Sequence, residues 1–120
     1  ETILFDINET VLDLSVLKPK FKKVFGNEFV TSTWFSMLLH SSTVCILTGV
    51  KTNFSTLAGD MLEILAGRLQ VHLTDDLKKE ILSTFANLPP HQDIKPALTK
   101  LKAAGFRTVA FSNSSCKYSL

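Results

Sequence analysis

Cysteine is scarce in this chain. Cys45 and Cys116 are the only two, with no paired spacing and no neighbouring histidine at metal-ligand distance. This argues against a disulfide framework, and the pair reads as reduced thiols of a cytoplasmic protein. Charge of one sign is also lacking. Thirteen Lys and Arg against eleven Asp and Glu leave a net charge of +2, too balanced to point to nucleic acid or an anionic membrane. No apolar run reaches the ~20 residues a membrane-spanning helix needs. The nearest approach, Trp34 to Val50, is interrupted by His40, Ser41, Ser42 and Thr43, and reads as a buried or semi-buried helix. Histidine is sparse: His40, His72 and His91 are scattered without a partner at useful spacing, which argues against a catalytic role for any of them. There is no signal-peptide pattern, internal repeat or low-complexity tract.

What is present is ordinary for a globular domain. The 120 residues are 45% hydrophobic and 20% charged, enough for one modest domain with its own core. The chain begins on Glu1 and stops soon after its second strand pattern, so both ends read as cut.

Residues 2–6, with the apolar run Ile3-Leu4-Phe5 leading into Asp6, are too few for a helix and suited to a buried strand ending on an acid. Asn8, Glu9 and Thr10 follow as a turn, with Val11-Leu12 as an apolar anchor. Asp13 or Ser15 is expected to cap a first helix with Pro19 in its first turn, stopped by Gly26-Asn27. Its Val16, Leu17, Phe21, Val24 and Phe25 would face inward, and Lys18, Lys20, Lys22 and Lys23 mostly outward. A second helix is expected over 28–48, closed by Gly49, and a third over 55–68 with Leu57, Met61, Leu62 and Leu65 at helical spacing. Thr74 would cap a fourth, with Asp75 and Asp76 where the helix dipole favours acids. Pro89-Pro90 breaks the helical region. Beyond it comes an amphipathic helix over 93–104 ending in Gly105, then a β-rich run from Phe106 to Phe111 that lands on Ser112-Asn113.

The order is strand, helical insert, helix, strand. Residues 1–14 form the first strand and its loop, 15–88 the helical insert, and 89–120 the return to the sheet. A right-handed crossover between parallel strands brings their carboxyl ends to one crevice, where open α/β folds bind ligands. Asp6 and Ser112 would then face the same space. A carboxylate there can serve as a covalent nucleophile, with Thr10, Ser112 and Asn113 orienting it or holding a developing anion. A plainer reading stands beside each assignment. Asp6 could be a turn or cap acid, Thr10 and Ser112 turn hydroxyls, Asn8 the holder of its own turn, and Trp34 and Phe35 helix core. Glu9 reads as a solvated turn residue.

The stretch Phe5-Asp6-Ile7-Asn8-Glu9-Thr10-Val11-Leu12, taken with Phe111-Ser112-Asn113, resembles the haloacid dehalogenase superfamily, and within it the type II or 2-haloacid dehalogenases. The resemblance spans Ile3 to Ser115. It implies an α/β protein: a partial Rossmann-like core with an inserted helical cap over 15–88. It implies that Asp6 attacks the halogen-bearing carbon of a small 2-haloalkanoic acid to form an ester that water hydrolyses. Thr10 would position Asp6, and Ser112 and Asn113 would bind the substrate carboxylate or its surroundings. Asn8, Trp34 and Phe35 would line the substrate. No cofactor and no metal are implied. The expected partner is the small-molecule substrate, with a homodimer possible if the partial core leaves apolar surface exposed.

Two letters depart from the family pattern. Superfamily phosphatases carry a second aspartate two residues after the nucleophile, where this chain has Asn8. A neutral amide neither exchanges a proton near pH 7 nor binds a hard cation well, which favours the dehalogenase branch over a phosphate-ester hydrolase. The dehalogenases also place an arginine directly after a cap-helix tryptophan. Here Trp34 is followed by Phe35, and the only arginines are Arg68 and Arg107. Family members continue past the Ser-Asn strand to a lysine and an acidic loop, so a truncated, non-catalytic fragment is the third reading.

Overall fold

Two short apolar runs at opposite ends of the sequence pair as parallel strands. β1 (Thr2–Asp6) and β2 (Arg107–Phe111) run in register from Thr2↔Arg107 to Asp6↔Phe111. The computed structural model describes residues 1–112; Asn113 and Cys116 lie outside them. The chain divides into two units, one made of Glu1–Leu14 with the described residues from Leu88 onward, the other of Ser15–Asn87.

In the first unit, α5 (Ile94–Ala103) precedes β2 and packs against it. Side chains alternate across a strand. Ile3 and Phe5 are half-buried, whereas Leu4 on the opposite face is 62% exposed, as is Phe111 at 69%. The buried apolar residues of this unit lie outside the strands: Ile7, Val11 and Leu14 in the loop after β1, and Leu88.

The second unit holds four helices, α1 (Lys18–Phe25), α2 (Val30–Thr48), α3 (Phe54–Arg68) and α4 (Asp75–Ala86). Local chemistry sets most of their ends. Gly26 (φ 77°) and Gly49 (φ 71°) close α1 and α2 in the left-handed conformation that glycine adopts without a Cβ clash. Asn53 and Thr74 cap α3 and α4, accepting from the backbone N–H of Thr56 and Leu77.

The start of α1 departs from expectation. Neither Asp13 nor Ser15 caps it; a 3₁₀ turn over Leu14–Leu17 comes first, and the helix begins at Lys18 with Pro19 in its first turn. Just before that turn, the Asp13 N–H donates to the Pro89 carbonyl (2.8 Å). The 3₁₀ turn places Leu17 at the N-cap of α1, so Asp13 and Ser15 both stand ahead of the capping position.

The core of the helical unit is aromatic and aliphatic. Trp34, Phe21, Leu17, Leu38 and Leu62 are fully buried, and Ile81 nearly so. α2 packs on α1 and α3, and α4 on α1 and α3. Each such side chain contributes about 1.5–3 kcal/mol relative to leaving it in water. α2 is 19 residues, beginning at Val30, and is the one helix among the described residues long and apolar enough to cross a membrane by length and composition. It buries Trp34, Leu38 and Ser42, while Leu39, Ile46 and Leu47 toward its C-terminal end are exposed. The expectation of a buried or semi-buried helix therefore holds for the face carrying Trp34, Leu38 and Ser42 and fails at the last turn.

Candidate active site at the carboxyl ends of the strands

β1 ends on Asp6, and the parallel register sets it opposite Phe111, one residue before Ser112. The two strand ends thus bring Asp6 and Ser112 to the same edge of the sheet. Thr10 comes back onto the strand end: its hydroxyl donates to Asp6 Oδ2 at 3.0 Å. Both residues are exposed.

The loop that returns Thr10 is tightly wound. The N–H groups of Val11 and Leu12 both donate to the Ile7 carbonyl at 2.9 Å, and Asn8 bridges to Leu12. This winding requires Glu9 to adopt φ 70°. For a residue with a Cβ that left-handed conformation costs about 1–2 kcal/mol, so other contacts must offset it. The Glu9 carboxylate accepts from the Leu14 N–H (3.3 Å), and the Glu9 carbonyl receives the His91 Nε2 at 2.6 Å. The segment around Pro90 then staples the outer side of the loop. His91 N–H donates to the Val11 carbonyl (2.9 Å), Asp13 N–H to Pro89, and Leu12 bridges to Pro90.

Glu9 and His91 are the residues that reading the sequence missed. Glu9 looks like a solvated turn acid, and His91 a stray histidine. The faint signal was a non-glycine at the centre of a turn tight enough to need φ > 0. The His91 partner is a backbone carbonyl, which no side-chain spacing can reveal.

Trp34 and Phe35 belong to the helical unit. The Trp34 indole N–H donates to the Ala58 carbonyl at 3.0 Å, as a buried indole requires an acceptor. Its ring lies 5.3 Å from Phe21 and 5.0 Å, edge-on, from Phe85. Phe35 is half-buried, 6.5 Å from both Trp34 and Phe85. In the same unit Lys20 Nζ meets Glu80 Oε1 at 2.7 Å. That hydrogen bond, with the charges of Lys20 and Lys23, holds the Glu80 carboxyl below its usual range. Among the described residues no three His, Cys, Asp or Glu side chains gather as a metal site.

No family model matches the chain. Among known proteins it is 30% identical over 112 residues to (S)-2-haloacid dehalogenase 1 of Pseudomonas sp. (strain CBS-3), covering 92% of this chain and 49% of that protein. It is 25% identical over 114 residues to the (S)-2-haloacid dehalogenase of Pseudomonas fluorescens, covering 93% of this chain and 50% of that one. Among solved structures, the L-2-haloacid dehalogenase RSc1362 superposes with a TM-score of 0.89 at 20% identity, over 96% of this chain and 53% of that chain. The L-2-haloacid dehalogenase of Xanthobacter autotrophicus with chloropropionic acid covalently bound superposes at 0.82 and 19% identity, over 96% of this chain and 47% of that chain. The chain spans about half the length of the curated relatives it matches. It carries the haloacid dehalogenase fold and, over that half, is similar in sequence to (S)-2-haloacid dehalogenases.

Proposed function

We propose that this chain carries the nucleophilic part of a 2-haloacid dehalogenase site, in which Asp6 displaces halide from a small 2-haloalkanoic acid. The observation that carries the proposal is the Asp6 carboxylate at the end of β1, level with the end of β2 and held on Oδ2 by Thr10. The similarity to (S)-2-haloacid dehalogenases supports the substrate class.

In the displacement, an Asp6 oxygen bonds to C2 of the acid as the carbon–halogen bond breaks, and the bonding pair leaves with the halide. Water then attacks the carbonyl carbon of the aspartyl ester. The bond from that carbon to the C2 oxygen breaks, the 2-hydroxy acid departs, Asp6 regains its carboxylate, and one proton is released. Thr10 limits rotation of the carboxylate, which keeps the attacking oxygen aimed along the line of displacement. Ser112 and Asn113 are assigned to the substrate carboxylate, and Asn8 to the substrate side of the turn. The helical unit is assigned the role of cap, with Phe35 as its substrate-side aromatic; Trp34, expected from the sequence to line the substrate, is instead buried core of that unit. With Phe35 in place of an arginine, halide is stabilised by the positive edges of aromatic rings or by amides.

Asn8 favours this chemistry over magnesium-dependent phosphoryl transfer, because an amide can neither shuttle the proton nor bind the cation well. A cytoplasmic setting, with Cys45 as a free thiol, fits the proposal. The test supplies 2-chloropropionate and a generic phosphate ester, each with and without magnesium. The expected result is chloride release that Asp6→Asn abolishes. Magnesium-dependent phosphate release, lost in Asp6→Asn, would sink the proposal.

A second copy of the chain is the proposed macromolecular partner, because Leu39, Ile46 and Leu47 leave apolar surface open on α2. Sedimentation over a range of concentrations is expected to show a dimer; a monomer mass throughout contradicts it.

A further inference from the structure

The loop between Asp6 and Val11 contains a hydrogen bond that the ester chemistry does not itself use. His91 Nε2 lies 2.6 Å from the Glu9 carbonyl oxygen, and the two residues are 82 positions apart. A carbonyl only accepts, so Nε2 carries the proton in this contact, whether the ring is neutral or charged. The bond meets the backbone at the one non-glycine residue of the loop in the left-handed conformation. Thr10 follows immediately, and the orientation of the Glu9–Thr10 peptide decides whether the Thr10 hydroxyl reaches Asp6 Oδ2.

The other contacts act elsewhere on the loop. Val11 and Asp13 are tied to His91 and Pro89 through backbone bonds, downstream of Thr10. The Glu9 carboxylate reaches forward to the Leu14 N–H. The His91 imidazole is the contact made to the Glu9–Thr10 peptide itself. We propose that His91 is a positioning residue for Asp6: its Nε2–H holds the Glu9 carbonyl so that the left-handed turn delivers Thr10 to the nucleophile. This rests on the reading of Asp6 as the nucleophile, but its structural half can be tested without turnover.

The bond is solvent-exposed, so its net worth to global stability is small while its local effect on the loop is direct. Three measurements on the chain test it. Nitrogen NMR of the wild-type imidazole is expected to show the proton on Nε2; a neutral ring protonated on Nδ1 overturns the proposal outright and needs no variant. In His91→Ala, amide exchange at Val11 and Leu12 is expected to rise roughly tenfold, with β1 and α3 amides unchanged, as for loss of one local hydrogen bond. His91→Gln, whose amide can donate from a similar position, is expected to return exchange to near the wild-type rate. Unchanged exchange in His91→Ala, or no recovery in His91→Gln, overturns the proposal.

Chloride release then separates positioning from mere structure. His91→Ala is expected to lower kcat about tenfold with KM little changed, and His91→Gln to restore it. If wild-type chain releases no chloride, the haloacid reading fails. The exchange and tautomer results still decide whether His91 holds the turn.

Discussion

The helical unit and the strand unit solve opposite problems. Ser15–Asn87 buries Trp34, Phe21, Leu17, Leu38 and Leu62 completely around helices with good local caps. The strand unit buries Ile7, Val11, Leu14 and Leu88, all outside its strands, while Leu4 and Phe111 on the strands stay largely exposed. Parallel sheets normally have both faces covered, and a two-stranded one has little stability of its own. The difference teaches where each kind of energy is spent. In the helical unit it goes into packing. In the strand unit it goes into fixing one loop, through backbone bonds, the Glu9 carboxylate and His91. Of the residues to which the proposed function assigns chemistry, Asp6 and Thr10 are joined across that loop, and Ser112 stands at the neighbouring strand end.

The contrast can be broken by a pair of substitutions. Trp34→Ala removes a buried ring and orphans the Ala58 carbonyl contact, and is expected to cost about 3–5 kcal/mol in denaturant unfolding followed by circular dichroism. Leu4→Ala, on the open face of β1, is expected to stay within about 0.5 kcal/mol. A Leu4→Ala cost comparable to that of Trp34→Ala would mean that the sheet face is covered in solution, and the contrast would fall.

The smallest expected effect is electrostatic and belongs to the helical unit alone. The folded-state Glu80 carboxyl is held low, chiefly by its hydrogen bond from Lys20. A depressed acid contributes stability above its unfolded pKa and loses it as pH falls through the folded value. Stability of wild type should therefore decline slightly more than that of Glu80→Gln on acidification below the ordinary carboxylate range. The reverse order in pH-dependent unfolding would contradict the assignment. The effect is small because the pair is exposed.

Features set by neighbours in sequence were legible beforehand. The acid-tipped strand, the Gly26 and Gly49 stops, the Thr74 cap and the β-rich run ending at Phe111 all follow from residues within one turn or one strand. What was not legible depends on distant backbone. Asp13 does not cap α1: its N–H pairs with the distant Pro89 carbonyl, and a 3₁₀ turn over Leu14–Leu17 comes before the helix. His91 looked idle because its partner is a main-chain carbonyl far away in sequence. The exposure of Leu39, Ile46 and Leu47 was equally hidden, since helical spacing marks an apolar face without saying what covers it. Of the candidate site, the geometry joins Asp6 and Thr10 directly and sets Ser112 beside them at the strand ends. Asn113 falls outside the described residues, and Trp34 and Phe35 lie in the other unit.

The most direct test of Asp6 as a covalent nucleophile is a single turnover in ¹⁸O-labelled water, with protein in excess over 2-chloropropionate. An ester on Asp6 predicts that the first-turnover 2-hydroxy acid carries unlabelled oxygen taken from the protein, while ¹⁸O appears in the peptide containing Asp6. A first-turnover product that carries ¹⁸O, with an unlabelled Asp6 peptide, means that water attacks the substrate directly and contradicts the proposal.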